Sequence, residues 1–264
     1  IQSVVAEGGF GVVYRAVHRT LHKPIAVKVL KVPEGLSEAL RKEFLDKFAQ
    51  EARTIAQLEH PAIVRVIDFG ASPMPAGEAA PWMVLEWVEG QTLKTDLLAR
   101  RGSGGRSPRE CLALLRPIFD AVALAHERGI AHRDIKPANI MLPQRASGVS
   151  AHAMMMPVTR LLDFGIAKVM QPDEEAVDAT TSAEAILFTL AYAAPEQVGG
   201  KRTGPWTDVH ALALVLTEML TDRSPYRGGD KMDTLRDVIG DARPSPARFC
   251  VDVGPWEAVI QRAM

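Results

Sequence analysis

The chain has 264 residues, 47% of them hydrophobic, which is enough apolar material for one large domain or two small ones with a sizeable core. Its 31 basic and 32 acidic residues leave a net charge of -1, so there is no electrostatic footprint for nucleic acid, and any anion it binds has to be held locally. Two cysteines, Cys111 and Cys250, are too few for a disulfide framework and lack metal-ligand spacing; they read as buried structural thiols in a reducing, cytoplasmic setting.

No apolar run reaches the length of a membrane span, and the first residues do not resemble a signal peptide. The chain is therefore expected to be soluble and to make no membrane contact. It starts without Met in a β-like run and stops inside a helical stretch at 256–264, the pattern of a fragment, so an anchor, sensor or scaffold beyond either end is left open.

In chain order, Ala6-Glu7-Gly8-Gly9-Phe10-Gly11-Val12-Val13 lies between two β-like runs. Glycines at 8, 9 and 11 let the backbone approach a phosphate and aim N–H groups at it, although such a cluster by itself is also an ordinary hairpin turn. In Ile25-Ala26-Val27-Lys28-Val29-Leu30, a period of two places Ala26, Lys28 and Leu30 on one strand face. A helix follows in which Phe44, Phe48, Glu51, Ile55 and Leu58 form one apolar stripe. A carboxylate within such a stripe needs a cation, and Lys28 is the natural candidate for Glu51.

Strands dominate to about residue 88 and helices from residue 93. Loops are expected at 74–81, 100–106, 143–157 and 171–184. Ser107-Pro108-Arg109-Glu110 is a capping box with Pro at the first helical position, and predicts a helix from 108 to about 128. The stretch from Asp208 to Leu220 is apolar nearly all round, the mark of a helix buried at the centre of its lobe.

Between these two helices lie His132-Arg133-Asp134-Ile135-Lys136-Pro137-Ala138-Asn139, then Asp163-Phe164-Gly165 and Ala194-Pro195-Glu196. Together with the glycine loop, the strand lysine and the helix glutamate, in that order along essentially the whole chain, these motifs resemble a eukaryotic-type (Hanks-type) serine/threonine protein kinase domain of the bacterial kind. The resemblance implies an α+β bilobal fold: a small antiparallel β-rich lobe with one long helix over residues 1–88, and a larger mainly helical lobe over 89–264.

It further implies ATP and Mg2+ (or Mn2+) as cofactors and proteins bearing Ser or Thr acceptors as partners, with dimerisation open as a route to autophosphorylation. Lys28, held by Glu51, would contact the α- and β-phosphates, while Ala6, Gly8, Gly9 and Gly11 form the loop over the phosphates. Val13, Ala26 and Met141 would sandwich the adenine, with the backbone of a hinge from Glu86 to Val88 reading its edge. Asp163 and Asn139 would be the metal ligands, Asp134 would orient the incoming hydroxyl, Lys136 would lie near the γ-phosphate, and Thr189 would bond to the catalytic loop. Asp208 would hold that loop's backbone, and His132 and Phe164 would pack.

Arg133 precedes the catalytic Asp, and the family pairs an Arg there with a phosphate on the activation segment. Thr180, Thr181 and Ser182 lie in that segment, and Thr180 or Thr181 is the expected autophosphorylation site. Ala6 in place of the first loop glycine, Phe188 before Thr189, and the long interval from Asn139 to Asp163 depart from the family pattern. The Arg that pairs with Glu196 in the family would fall past Met264, which leaves Glu196 without that partner. A nucleotide-binding scaffold that has lost catalysis would lack Lys28, Asp134 or Asp163, and a small-molecule kinase would lack the Ala194-Pro195-Glu196 segment; the chain has all of them.

Overall fold

The structure is a computed structural model that describes residues 1–8, 11–33, 35–73, 79–144, 158–164, 190–226 and 231–264. These residues divide into two units, one formed by 1–60 with 64–88 and the other by 61–63 with 89–164 and 190–264.

In the first unit, alternating apolar residues build β1 (Ser3–Gly8), β2 (Gly11–Val17), β3 (Pro24–Leu30), β4 (Val66–Pro73) and β5 (Ala79–Glu86). They form one antiparallel sheet in the order β1-β2-β3-β5-β4. The register places Val13, Lys28 and Met83 in one row, and Arg15, Ala26 and Leu85 in the next row of the same face. Phe69 of β4 stands opposite Met83 and meets Phe48 edge to face, with ring centroids 6.5 Å apart. Phe48 belongs to α1 (Glu38–Ala56), whose first turn is capped by Ser37 accepting from the Leu40 amide at 3.3 Å. The helix thus packs on the face that carries Lys28.

One sequence expectation changes here. Residues 79–81, read as the end of a loop, are the start of β5 and pair with residues 71–73; Pro81 interrupts the alternation that would have marked them. Gly11 adopts φ +147° and lies so close to β3 that a Cβ would sit 2.1 Å from the Val29 carbonyl oxygen, so strand packing alone requires glycine there.

In the second unit, β6 (Gly90–Thr92), β7 (Ile140–Pro143) and β8 (Arg160–Leu161) make a small sheet. Residues 61–63 join this unit because the Ala62 carbonyl accepts from the Leu161 amide at 2.6 Å and Ile63 bridges to Leu161. The helices are α2 (Leu93–Arg100), α3 (Pro108–Glu127), α4 (Pro195–Val198), α5 (Pro205–Thr221), α6 (Lys231–Ile239) and α7 (Trp256–Ala263). The capping box of α3 is complete: Ser107 Oγ accepts from the Glu110 amide at 3.3 Å and Glu110 Oε2 accepts from the Ser107 amide at 2.9 Å.

From Thr207 to Thr221 every residue of α5 except Val209 is buried, so this helix is the axis of the unit's core. The segment between α2 and α3 is laid against its end. A Cβ on Gly105 would lie 1.7 Å from the Leu220 carbonyl oxygen, and Asp222 Oδ2 accepts from the Gly102 amide at 2.7 Å. Cys111 is buried as expected, but Cys250 is exposed, because it ends a short 3-10 turn in the left-handed conformation, which turns its side chain out. Among the described residues no helix is long and apolar enough to cross a membrane.

Candidate active site

The short loop from His132 to Asn139 runs from α3 to β7 and is held from below by one carboxylate. Asp208, 1% exposed in the first turn of α5, accepts from the His132 amide and the Arg133 amide, each at 2.7 Å, and contacts His126 Nε2 at 2.8 Å. Three donors on one buried carboxylate compensate its loss of water. This fixes Arg133 in the left-handed region at φ +63°, a conformation non-glycine residues hold only where the surroundings over-determine it.

His132 is 1% exposed and works as a structural connector rather than as an acid or base. Its Nε2 bonds the Leu162 carbonyl at 2.8 Å, while Nδ1 accepts from the Asp134 amide at 3.2 Å. That pairing requires the neutral ring with its proton on Nε2, and burial holds the imidazole below its usual range. Phe164 stacks beside it at a centroid distance of 4.7 Å, and is buried. Asp163, between Leu162 and Phe164, takes φ +46°, a second left-handed residue at the site.

Above this base, three side chains meet. Lys136 Nζ lies 2.9 Å from Asp134 Oδ2 and 3.2 Å from Oδ1. Asn139 Nδ2 donates to the Asp134 carbonyl at 2.7 Å and to Asp134 Oδ2 at 2.9 Å. The carboxylate is thus oriented by a cation and an amide, while its side chain stays 16% exposed. With both amide hydrogens turned to Asp134, Asn139 is left with Oδ1 as its free ligand-type atom, a hard oxygen donor of the kind Asp163 also offers.

In the first unit, Lys28 is half-buried at the centre of the sheet face described above, and Glu51 is half-buried on α1 among Phe48, Ala52 and Ile55. Val13 and Ala26 share the Lys28 face. Ala6 and Gly8 lie exposed on β1, and Glu86 and Val88 are half-buried at and beyond the end of β5. Met141 sits in β7 opposite Thr92 and Arg160, in the second unit. Gly9, Gly165, Thr180, Thr181, Ser182, Phe188, Thr189 and, of the loop expected at 143–157, residues 145–157 lie outside the described residues.

Glu196 does not lack a partner, as its missing Arg suggested. Its Oε1 accepts from the Thr207 hydroxyl at 2.7 Å, and Thr207 Oγ1 in turn accepts from the Gly204 amide at 3.1 Å, so a helix-capping hydroxyl meets the carboxylate. Sequence reading also passed over Gln197, whose Nε2 donates to the Arg133 carbonyl at 2.8 Å while its Oε1 accepts from the Ala194 amide at 3.1 Å. His126 was missed as well; nothing in its spacing distinguishes it from any polar residue near a helix end. A third cluster joins Tyr192, which donates to Glu218 Oε2, with Arg101 Nη2, 3.2 Å from Glu218 Oε1; burial raises both the tyrosine and the glutamate pKa.

Comparison with known proteins agrees with this geometry. Residues 1–250 match the family model described as the protein kinase domain. The chain is 32% identical over 262 residues to the serine/threonine-protein kinase PknB of Mycolicibacterium smegmatis, covering 99% of this chain and 38% of that protein. It is 36% identical over 246 residues to PknA of Mycobacterium tuberculosis, also named a serine/threonine-protein kinase, covering 92% of this chain and 51% of that protein. The crystal structure of the Mycobacterium tuberculosis PknI kinase domain superposes with a TM-score of 0.65 at 25% identity, covering 99% of this chain and 84% of that one. The chain thus spans about half, or less, of the length of these curated relatives.

Proposed function

The chain belongs to the protein kinase domain family, in its bacterial serine/threonine branch, and on that premise we propose that it transfers the γ-phosphoryl of ATP to Ser or Thr hydroxyls of proteins. The observation that carries the proposal is the Asp134 carboxylate held by Lys136 and Asn139, each with a contact of 2.9 Å.

Phosphoryl transfer passes through a loose transition state with charge spread over the phosphate oxygens, so the protein's work is positioning and charge stabilisation. Asp134 accepts the hydrogen bond of the acceptor hydroxyl and takes its proton as the oxygen bonds to Pγ and the bond from Pγ to the β-phosphate oxygen breaks. Lys136, already beside Asp134, places a positive charge near the transferred group. Lys28, oriented by Glu51, carries a cation to the α- and β-phosphates. Members of this family use ATP with a divalent metal, and Asn139 Oδ1 and the Asp163 carboxylate suit magnesium or manganese. When bound, the metal neutralises charge on the phosphate oxygens. Val13 and Ala26, on the Lys28 face, supply apolar contacts to the base, and the main chain from Glu86 to Val88 reads its edge.

Thr180 or Thr181 is the expected site of autophosphorylation, ordered through Arg133, with a second copy of the chain as the acceptor. Incubation with ATP, a divalent metal and a generic protein acceptor, followed by phosphosite mapping, tests the reading. Phosphate on the acceptor at Ser or Thr is expected; its absence from acceptor and protein alike, with nucleotide bound, contradicts it.

A further inference from the structure

The row Arg15, Ala26 and Leu85 runs across the sheet beside the row Val13, Lys28 and Met83, on the same face. An arginine is an unexpected neighbour for residues that are to contact an adenine, since a charged side chain laid on that face loses hydration. Its head group meets the segment at the end of β5. The Arg15 guanidinium carbon lies 4.7 Å from the centre of the Trp87 ring, a cation–π stack, and both residues are half-buried. Trp87 is the middle residue of the segment from Glu86 to Val88, whose backbone is to read the base.

The first residue of that segment is fixed independently. The Glu86 amide donates to the Arg65 carbonyl at 3.0 Å, and Glu86 Oε1 accepts from the Arg65 amide at 2.9 Å. Glu86 is therefore tied to the residue just before β4. Trp87 has no such tie: among the described residues its Nε1 is buried with no hydrogen-bond partner, so the ring's orientation rests on packing and on the cation above it.

We infer that Arg15 is a positioning residue for the nucleotide: by clamping the Trp87 ring it sets the backbone at Trp87 and Val88 that the adenine edge meets. This rests on the functional reading above and adds to it a residue that none of the kinase motifs contains. Because Arg15 acts on the base and not on the transferring phosphate, its loss should be felt in nucleotide affinity more than in turnover.

The test is a set of three variants of the intact chain, Arg15→Ala, Arg15→Lys and Trp87→Leu, titrated with a fluorescent ATP analogue and magnesium and then assayed for KM and kcat. A loss of affinity and a rise in KM on the order of threefold to tenfold are expected for Arg15→Ala, larger than any fall in kcat, as a partly shielded cation–π contact gives. Arg15→Lys should recover part of the affinity, since an ammonium can also sit over the ring but lacks the planar guanidinium's stacking, and Trp87→Leu should match Arg15→Ala. Equal nucleotide affinity in wild type and Arg15→Ala overturns the inference alone. So does an Arg15→Lys variant as weak as Arg15→Ala despite an unchanged melting temperature. A folded wild type that binds no nucleotide overturns the functional reading, and this inference with it.

Discussion

Asn139 holds Asp134 at two points, donating to its main-chain carbonyl at 2.7 Å and to its carboxylate Oδ2 at 2.9 Å. One amide group thus fixes the backbone and the side chain of the proposed base together. Asn139 is 8% exposed and is the last residue of the 3-10 turn from Pro137 that returns the chain to β7, so its position is set by the fold and not by a ligand.

Replacing Asn139 by Ala removes both bonds and the Oδ1 atom proposed as a metal ligand. The turnover should fall by about 10²-fold, in the range seen when one oriented donor is lost. The divalent metal needed for half-maximal rate should rise by about 10-fold or more. Metal titration of the variant checks this, and an unchanged metal requirement would remove Asn139 from the ligand set.

Asp208 carries more of the stability. Asp208→Ala leaves the buried His132 and Arg133 amides without their acceptor, and should cost about 3–5 kcal/mol, measured as a shift of the urea midpoint. Asp208→Asn keeps one acceptor oxygen and should cost less. Near-equal stability of the two variants would show that the charge, and not the acceptor count, matters at this position.

His132 and His210 give the fold a dependence on acid. Burial lowers both imidazoles below the ordinary value of 6.5; around His210 stand the Met264 carbonyl, Arg243, which lowers it further, and Glu196, which raises it. The unfolded chain therefore takes up protons near pH 6.5 that the folded chain refuses. Stability from this source is full above that pH, and is lost as pH falls through 6.5 toward the lower folded values. His210→Phe should lose less stability than the wild type between pH 7.5 and 5.5 in urea melts. Parallel losses would mean that His210 does not contribute.

Much of the site could be read from sequence because its members are close along the chain or share a period. Asp134, Lys136 and Asn139 lie within one loop, and strand alternation places Lys28 with Ala26. What escaped is contact between distant residues made through small polar groups. Thr207 reaching Glu196, Gln197 reaching the Arg133 carbonyl and His126 reaching Asp208 depend on how α4 and α5 dock against the loop, and no local pattern encodes that docking. The start of β5 reads as loop in the sequence because Pro81 breaks the strand pattern, yet proline is tolerated at positions whose N–H the sheet does not need.

The most direct test of the central claim compares wild type with Asp134→Asn in a single-turnover assay of γ-phosphoryl transfer to a protein acceptor, with nucleotide binding measured on the same samples. The amide keeps the size of the carboxylate but cannot take the hydroxyl proton. A fall in rate of about 10²-fold to 10⁴-fold with nucleotide affinity retained is expected for a lost general base. A rate within a few-fold of wild type would contradict the role of Asp134.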